Sequence, residues 1–303
     1  MNSRVQFRLA CEGDVEETFR IYLRANEDLN RRLGRQVDLE SHTLPARALA
    51  VRRNGLRYDP ERFWVAELDG AAIGFGLATS RRSFWYLAAM HVLPECQSKG
   101  IGRELFRRCL GDPAHLPPTL LTISDASNIV SNGLYARFGL LPQTAIIYLE
   151  GPTRSFGRGG LMLRPADLKE GQHCFDELDQ LVLGEVRPED HTVWSSVPGL
   201  IPYLVYKGGR IVGYIYVDRA GALGPAAVER QDLLCPAISA ALEVLSAGEA
   251  PVARLRIPST ARESLAALLS AGFRFDASIN LFLTSRPFGR LPHYLFSGAD
   301  ALF

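Results

Sequence analysis

Residues 161–303 of this chain repeat the order of elements set out by residues 1–150, and this repetition limits the fold more than any other feature. In the first half, residues 5–10 read as a strand. Asp14 then caps a helix with apolar positions at Val15, Phe19, Tyr22, Leu23 and Leu29. Pro45 opens a second helix through Leu49 and Val51. Two strands, 63–68 and 72–79, flank Asp69-Gly70, a dipeptide suited to a tight hairpin turn. A strand over 84–93, a helix over 101–110, a strand over 120–124, a helix over 129–138 stopped by Gly139, and a strand over 145–149 complete the set. In the second half, a strand over 161–164 leads to a helix starting at Asp167. A hairpin follows around Gly208-Gly209, with Val212-Gly213-Tyr214-Ile215 matching Ile73-Gly74-Phe75-Gly76. Residues 253–257 match the later strand, and Gly272 ends a helix as Gly139 does.

The stretch 151–160 is glycine-rich and reads as a linker. The expected organisation is therefore a lobe over 1–150, a linker over 151–160 and a lobe over 161–303. The fold class is α/β (α+β), either as a tandem duplication or as two unrelated α/β domains.

The chemistry concentrates in Gln97-Ser98-Lys99-Gly100-Ile101-Gly102-Arg103. A strand feeds this loop, and a helix with one apolar stripe (Ile101, Leu105, Phe106, Cys109) leaves it. Backbone N–H groups at a helix start bind phosphate oxygens without a long side chain, and glycine lets the anion come close. Lys99 and Arg103 add positive charge. Neither a Walker A loop nor a dinucleotide-binding G-x-G-x-x-G near the first strand is present.

Val92-Leu93-Pro94-Glu95-Cys96-Gln97-Ser98-Lys99-Gly100-Ile101-Gly102 resembles the acyl-CoA-binding motif of the GNAT acetyltransferase superfamily, Gln/Arg-x-x-Gly-x-Gly/Ala after a strand ending in Val-x-Pro. The segment from Asn128 to Tyr135, then Phe138-Gly139-Leu140, resembles the family's Asn-x(6)-Tyr-x(2,3)-Gly-Phe segment, with Leu140 in place of Phe. The resemblance implies two tandem GNAT-like lobes, each a mixed, mostly antiparallel sheet flanked by helices. It implies that strands splay apart near Val92. Backbone groups at Met90, His91 and Val92 would then pair with the pantetheine arm of acetyl-CoA. It also implies that Asn128 contacts the pantetheine region and that Tyr135 protonates the departing thiolate, as a positioned phenol can. The expected reaction is acetyl transfer to a small-molecule amine by direct attack in a ternary complex. The alternative is a non-catalytic acyl-CoA sensor.

No Q-x-x-G-x-G follows the matching strand of the second half. Asp232 and Pro236 stand where the glycines belong, Leu268 where Tyr135 does, and Ala261 where Asn128 does. A single site in the first lobe is expected. The general base is open. Tyr86 falls where many family members carry a Glu, and His91 and Asp125 are further candidates. Glu27 and Asp28 are candidates for binding the amine. Arg31, Arg32, Arg35, Arg47, Arg52, Arg53 and Arg57 lie in the segment that lines the acceptor side in this family, where arginine pairs with anions or faces solvent.

A net charge of +1 gives no reason to expect a nucleic-acid partner. The five cysteines form no C-x-x-C pair, so neither a disulfide scaffold nor a metal site is expected. No apolar run reaches the roughly 20 residues of a membrane helix. The expected setting is the cytoplasm, as a monomer or homodimer without a metal.

Overall fold

A computed structural model describes residues 4–35, 45–157, 159–248 and 250–297. Arg158 of the expected linker lies outside them. The chain divides into two units, one of residues 1–123 and 127–141, the other of 124–126 and 142–298, the few terminal residues beyond 298 aside.

The first unit runs β1 (Gln6–Leu9), α1 (Val15–Arg32), α2 (Pro45–Tyr58), β2 (Phe63–Leu68), β3 (Ala71–Ser80), β4 (Phe84–Val92), α3 (Ile101–Leu110), β5 (Thr119–Asp125) and α4 (Ile129–Ala136). Its strands lie side by side in chain order, antiparallel except for the parallel pair β4 and β5. Neighbouring residues of a strand point to opposite faces. His91 meets the Tyr22 ring of α1, whereas Met90 approaches Gly102 of α3, so α1 and α3 cover opposite faces. Gly76 has a steric reason to be glycine: a Cβ there would lie 2.6 Å from Cys109 Sγ. Its bare backbone lets α3 sit close on the sheet. Trp85 Nε1 donates to the Cys109 carbonyl (3.0 Å), and Arg62 Nη1 donates to the Leu110 carbonyl (2.7 Å). A cation at a helix C-terminus meets both the free carbonyls and the dipole.

The second unit runs β6 (Leu141–Gly151), β7 (Leu161–Pro165), α5 (Leu168–Leu183), α6 (Pro188–Ser196), β8 (Leu200–Lys207), β9 (Arg210–Asp218), β10 (Ala222–Val228), α7 (Leu234–Ala247), β11 (Ala253–Pro258), α8 (Arg262–Ser270), β12 (Arg274–Thr284) and β13 (Tyr294–Leu295). The sheet order is β12-β6-β11-β10-β9-β8-β7, with β13 on β10. The core packs around α7, where Leu234, Ala237, Ile238, Ala241, Leu242 and Leu245 are all buried.

The unit boundary falls at Leu141 rather than at residue 150. The reason is pairing. β6 runs antiparallel to β11 from Ile146↔Pro258 to Gly151↔Ala253, so the last strand of the first half belongs to the second unit's sheet. The expected linker is held there too, since Phe156 N donates to Ser239 Oγ (2.9 Å).

The two halves agree in register. Ala66↔Gly74 is followed by a shift to Glu67↔Ala72, and Val205↔Gly213 by the same shift to Tyr206↔Ile211. Gly213 thus matches Gly74, and Tyr214 matches Phe75. Gly74 faces Val92 and Gly213 faces Val228, so Ala226, Ala227 and Val228 match Met90, His91 and Val92. Among the described residues no helix is long and apolar enough to cross a membrane.

Candidate active site

The loop between β4 and α3 is built for close approach to its backbone. Ser98 (φ 63°) and Gly100 (φ 81°) both take left-handed conformations, and Gly100 is the N-cap of α3. Among the described residues no backbone acceptor takes the N–H groups of Ser98, Lys99, Gly100, Ile101 or Gly102. Successive N–H groups in such turns form a concavity for an anion. Lys99 Nζ folds back on the Glu95 carbonyl (3.1 Å), and Arg103 is exposed beside the helix start. Gln97 holds the loop to the strand: its Nε2 donates to the Val92 carbonyl (2.9 Å), and its Oε1 accepts from Arg32 Nη2 (3.3 Å).

Among the described residues the adjoining edge of β4 is open beyond Leu87. Its pairing with β5 ends at Leu87↔Thr122, although β4 runs on to Val92. Opposite β3 the register shifts between Leu77↔Ala89 and Ala78↔Leu87, which marks a bulge at Ala88. Leu93 N–H bonds back to Ile73 on β3. By alternation His91 N–H also points to β3, while the N–H groups of Met90 and Val92 point to the open edge.

Tyr135 lies on α4, 5% exposed, against the Phe106 ring. Burial pushes its phenol up to about 12, with a Ser131 hydrogen bond acting the other way. It therefore holds its proton throughout the physiological range. Asn128 caps α4, its Oδ1 accepting from Ser131 N (3.1 Å).

The candidates for a base fare differently. Tyr86 is 1% exposed inside β4. His91 sits between Tyr22 and Phe75, with ring centroids 5.0 and 5.6 Å away, and part of the residue still reaches the surface. Burial, then the Arg52 charge, pulls its pKa down to about 3, so it is neutral and a weak base at pH 7. Asp28 is bound by Arg31 and Arg32 on its own helix. Glu27 is exposed, and Asp125 ends β5, half-buried. Of the arginines, Arg35 reaches Ser127 Oγ (2.9 Å), Arg53 pairs with Glu12, Arg57 lies over Tyr58, and Arg47 is buried. Arg52, 4% exposed, stands under the rings of Phe19, Tyr22 and Phe75.

The second unit fills the matching places from within. Between β10 and β11, Leu295 and Tyr294 pair with Ala226 and Ala227, and Phe296 pairs with Arg256. The C-terminal strand thus occupies the edge that β4 leaves open. Even the strand-end carbonyl is served alike: His293 Nδ1 meets Val228 O at 3.1 Å, as Gln97 meets Val92 O. The loop from 229 to 233 is shorter than 93–100 and carries no positive φ. Leu268 is fully buried at the Tyr135 position, and Ala261 cannot cap α8. The strand β13 has no signature in the sequence beyond Pro292 and two apolar residues, so only the fold reveals the plug.

Residues 23–140 match the sequence model of the family described as "Acetyltransferase (GNAT) family". No curated protein sequence matches the chain significantly. Among solved structures, a candidate acetyltransferase from Pyrococcus horikoshii is similar with a TM-score of 0.74 at 17% identity, covering 97% of this chain and 95% of that one. A GCN5-related N-acetyltransferase from Sphaerobacter thermophilus is similar with a TM-score of 0.63 at 16% identity, covering 95% and 98%. A tandem GNAT protein of the clavulanic acid biosynthesis pathway is similar with a TM-score of 0.60 at 16% identity, covering 94% and 99%. At such identity the likeness is one of fold. The sequence likeness to the acetyltransferase (GNAT) family thus covers residues 23–140, and the rest of the chain shares only the fold of the solved structures.

Proposed function

We propose that the first unit is an acyl-CoA-dependent N-acyltransferase that moves an acetyl group from acetyl-CoA to an amine of a small molecule. The observation that carries this reading is the open edge of β4 lying directly beside a loop of unbonded N–H groups. The N–H groups of Ser98 to Gly102 hold the pyrophosphate, with Lys99 and Arg103 adding charge. Met90 and Val92 offer backbone to the pantetheine arm as a strand would. His91 contributes no backbone group to this edge, and Gln97 acts by fixing the loop. Asn128 orients α4. Val92 N–H polarises the thioester carbonyl, and a donor aimed at developing negative charge lowers the barrier. Tyr135 gives its proton to the departing thiolate, and its raised pKa keeps that proton available. Neither Tyr86 nor His91 is set up as a base, so the amine releases its proton to water.

The second unit keeps the fold without the cofactor. Titration calorimetry with acetyl-CoA is therefore expected to show one site per chain, and no heat at submillimolar concentration would overturn the reading. Tyr135→Phe is expected to slow free-thiol release on an amine panel by about 10²-fold or more, with acetyl-CoA affinity nearly unchanged. Equal loss of both would make Tyr135 a packing residue. Binding without any thiol release would make the protein a sensor.

A further inference from the structure

The second unit is a guide to what the first lacks. Its α5, α6 and β9 enclose a fully buried polar cluster. Asp179 accepts from Arg187 Nε and Nη2 (3.0 and 3.1 Å), from the Tyr214 hydroxyl (2.6 Å), and meets His191 Nε2 at 3.1 Å. His191 lies between the rings of Phe175 and Tyr214, with centroids 4.8 and 5.2 Å away. Here the buried guanidinium of Arg187 has its carboxylate.

The first unit has a matching set of rings, and among the described residues no carboxylate pairs with the cation that meets them. Tyr214 matches Phe75 by register, and Phe175 matches Tyr22 when each is counted from the first residue of its helix, Leu168 or Val15. Arg52 lies over the Tyr22 and Phe75 rings, its guanidinium carbon 5.8 and 5.2 Å from their centroids, beside His91. Its Nε and Nη2 donate to Thr18 Oγ1 and O (3.1 and 3.2 Å), and its Nη1 donates to the Ala48 carbonyl (2.9 Å). All three acceptors are neutral, and among the described residues they take three of the five N–H groups. The same helix count places Asn26, an uncharged residue, where Asp179 stands. A buried guanidinium without a carboxylate is costly unless a ligand supplies one.

The geometry points to Arg52 as the anchor for a carboxylate carried by the amine acceptor, making the substrate class an amino acid or similar amino-carboxylate. The inference rests on the acyl-transfer reading above. β13 fills in the second unit the edge that acetyl-CoA takes in the first, and Asp179 likewise fills the place of the acceptor's carboxylate.

The test is a set of amino acids of graded chain length, each paired with its own amide, assayed by free-thiol release. The wild-type protein is expected to favour the acids by tenfold or more in kcat/KM. Arg52→Gln is expected to collapse that ratio toward one through a higher KM for the acids. Should Arg52→Gln fail to fold, Asn26→Asp serves, since it writes the second unit's carboxylate into the first. It is expected to raise the melting temperature and to lower kcat/KM for acids more than for amides. Equal turnover of acids and amides by the wild type, or a ratio that survives both substitutions, would overturn the inference. If acetyl-CoA binds but no acid turns over or raises the wild-type melting temperature, the inference fails while the cofactor site stands. If acetyl-CoA does not bind, the parent reading has failed instead.

Discussion

Gly100 and Gly102 are glycines for different reasons. Gly100 holds φ at 81°, where side chains are strained. Gly102 lies inside α3, and a Cβ there would meet nothing nearer than Met90 Cε at 3.9 Å. The protein itself has room for alanine at 102, as the proposed close approach of a phosphate would require. Gly102→Ala is expected to stabilise the chain by roughly 0.5–1 kcal/mol through helix propensity, yet to weaken acetyl-CoA binding. Chemical denaturation and calorimetry read the two effects separately. His91 carries a second residue-scale prediction. Its pKa falls from 6.5 to about 3 on folding. Between those values the unfolded chain binds a proton that the folded chain does not, so stability is full above 6.5 and is lost as pH falls toward 3. His91→Phe is expected to remove about 3 kcal/mol of acid sensitivity at about pH 4.5, judged from about 1.4 kcal/mol per pKa unit. Urea midpoints at that pH and at neutrality check it. The spacing of Gln97, Gly100 and Gly102 was readable in the chain. The left-handed Ser98 and the loss of basicity at His91 were not, because both depend on neighbours distant in sequence.

At the scale of elements, most helices and strands follow from apolar period and turn residues. The helix over 101–110 and the hairpin at Asp69-Gly70 appear as the pattern requires. The parting of β4 from β5 was accessible only through the family resemblance, and the bulge at Ala88 not at all, since nothing in Tyr86-Leu87-Ala88-Ala89 signals an extra residue. The α4 segment joins local and functional order. Asn128 caps it, and Tyr135 rides on its last turn. Asn128→Ala is expected to cost about 1 kcal/mol and to lower kcat more than it raises the KM for acetyl-CoA, as Tyr135 loses its fixed position. Steady-state kinetics beside a thermal melt separate this from general unfolding. A loss confined to KM would return Asn128 to a direct contact with the cofactor.

For the whole molecule, the repeat was legible but its boundary was not. The strand after Gly139 looked like the end of the first lobe because a lobe of this order needs a final strand. Which sheet takes that strand is decided by partners more than 100 residues away, in β11. The second unit's stability rests in part on its buried cluster. There burial alone would raise the Asp179 carboxyl, yet Arg187 and His191 hold it well below the usual carboxylate range. Asp179→Ala leaves Arg187 buried without its anion and is expected to cost about 3–5 kcal/mol. Acetyl-CoA affinity should survive at temperatures where the variant is folded, which calorimetry beside differential scanning would show.

The placement of β6 bears on how such a chain can be taken apart. A protease nick in the glycine-rich stretch after Gly151 cuts the backbone between the halves, but β6 remains laced between β12 and β11. The two fragments should therefore migrate together under native conditions and separate only in denaturant. A gene truncated to begin at residue 161 would code for a sheet with a missing slat. The two halves of the chain are hard to part, because the first has lent its last strand to the sheet of the second.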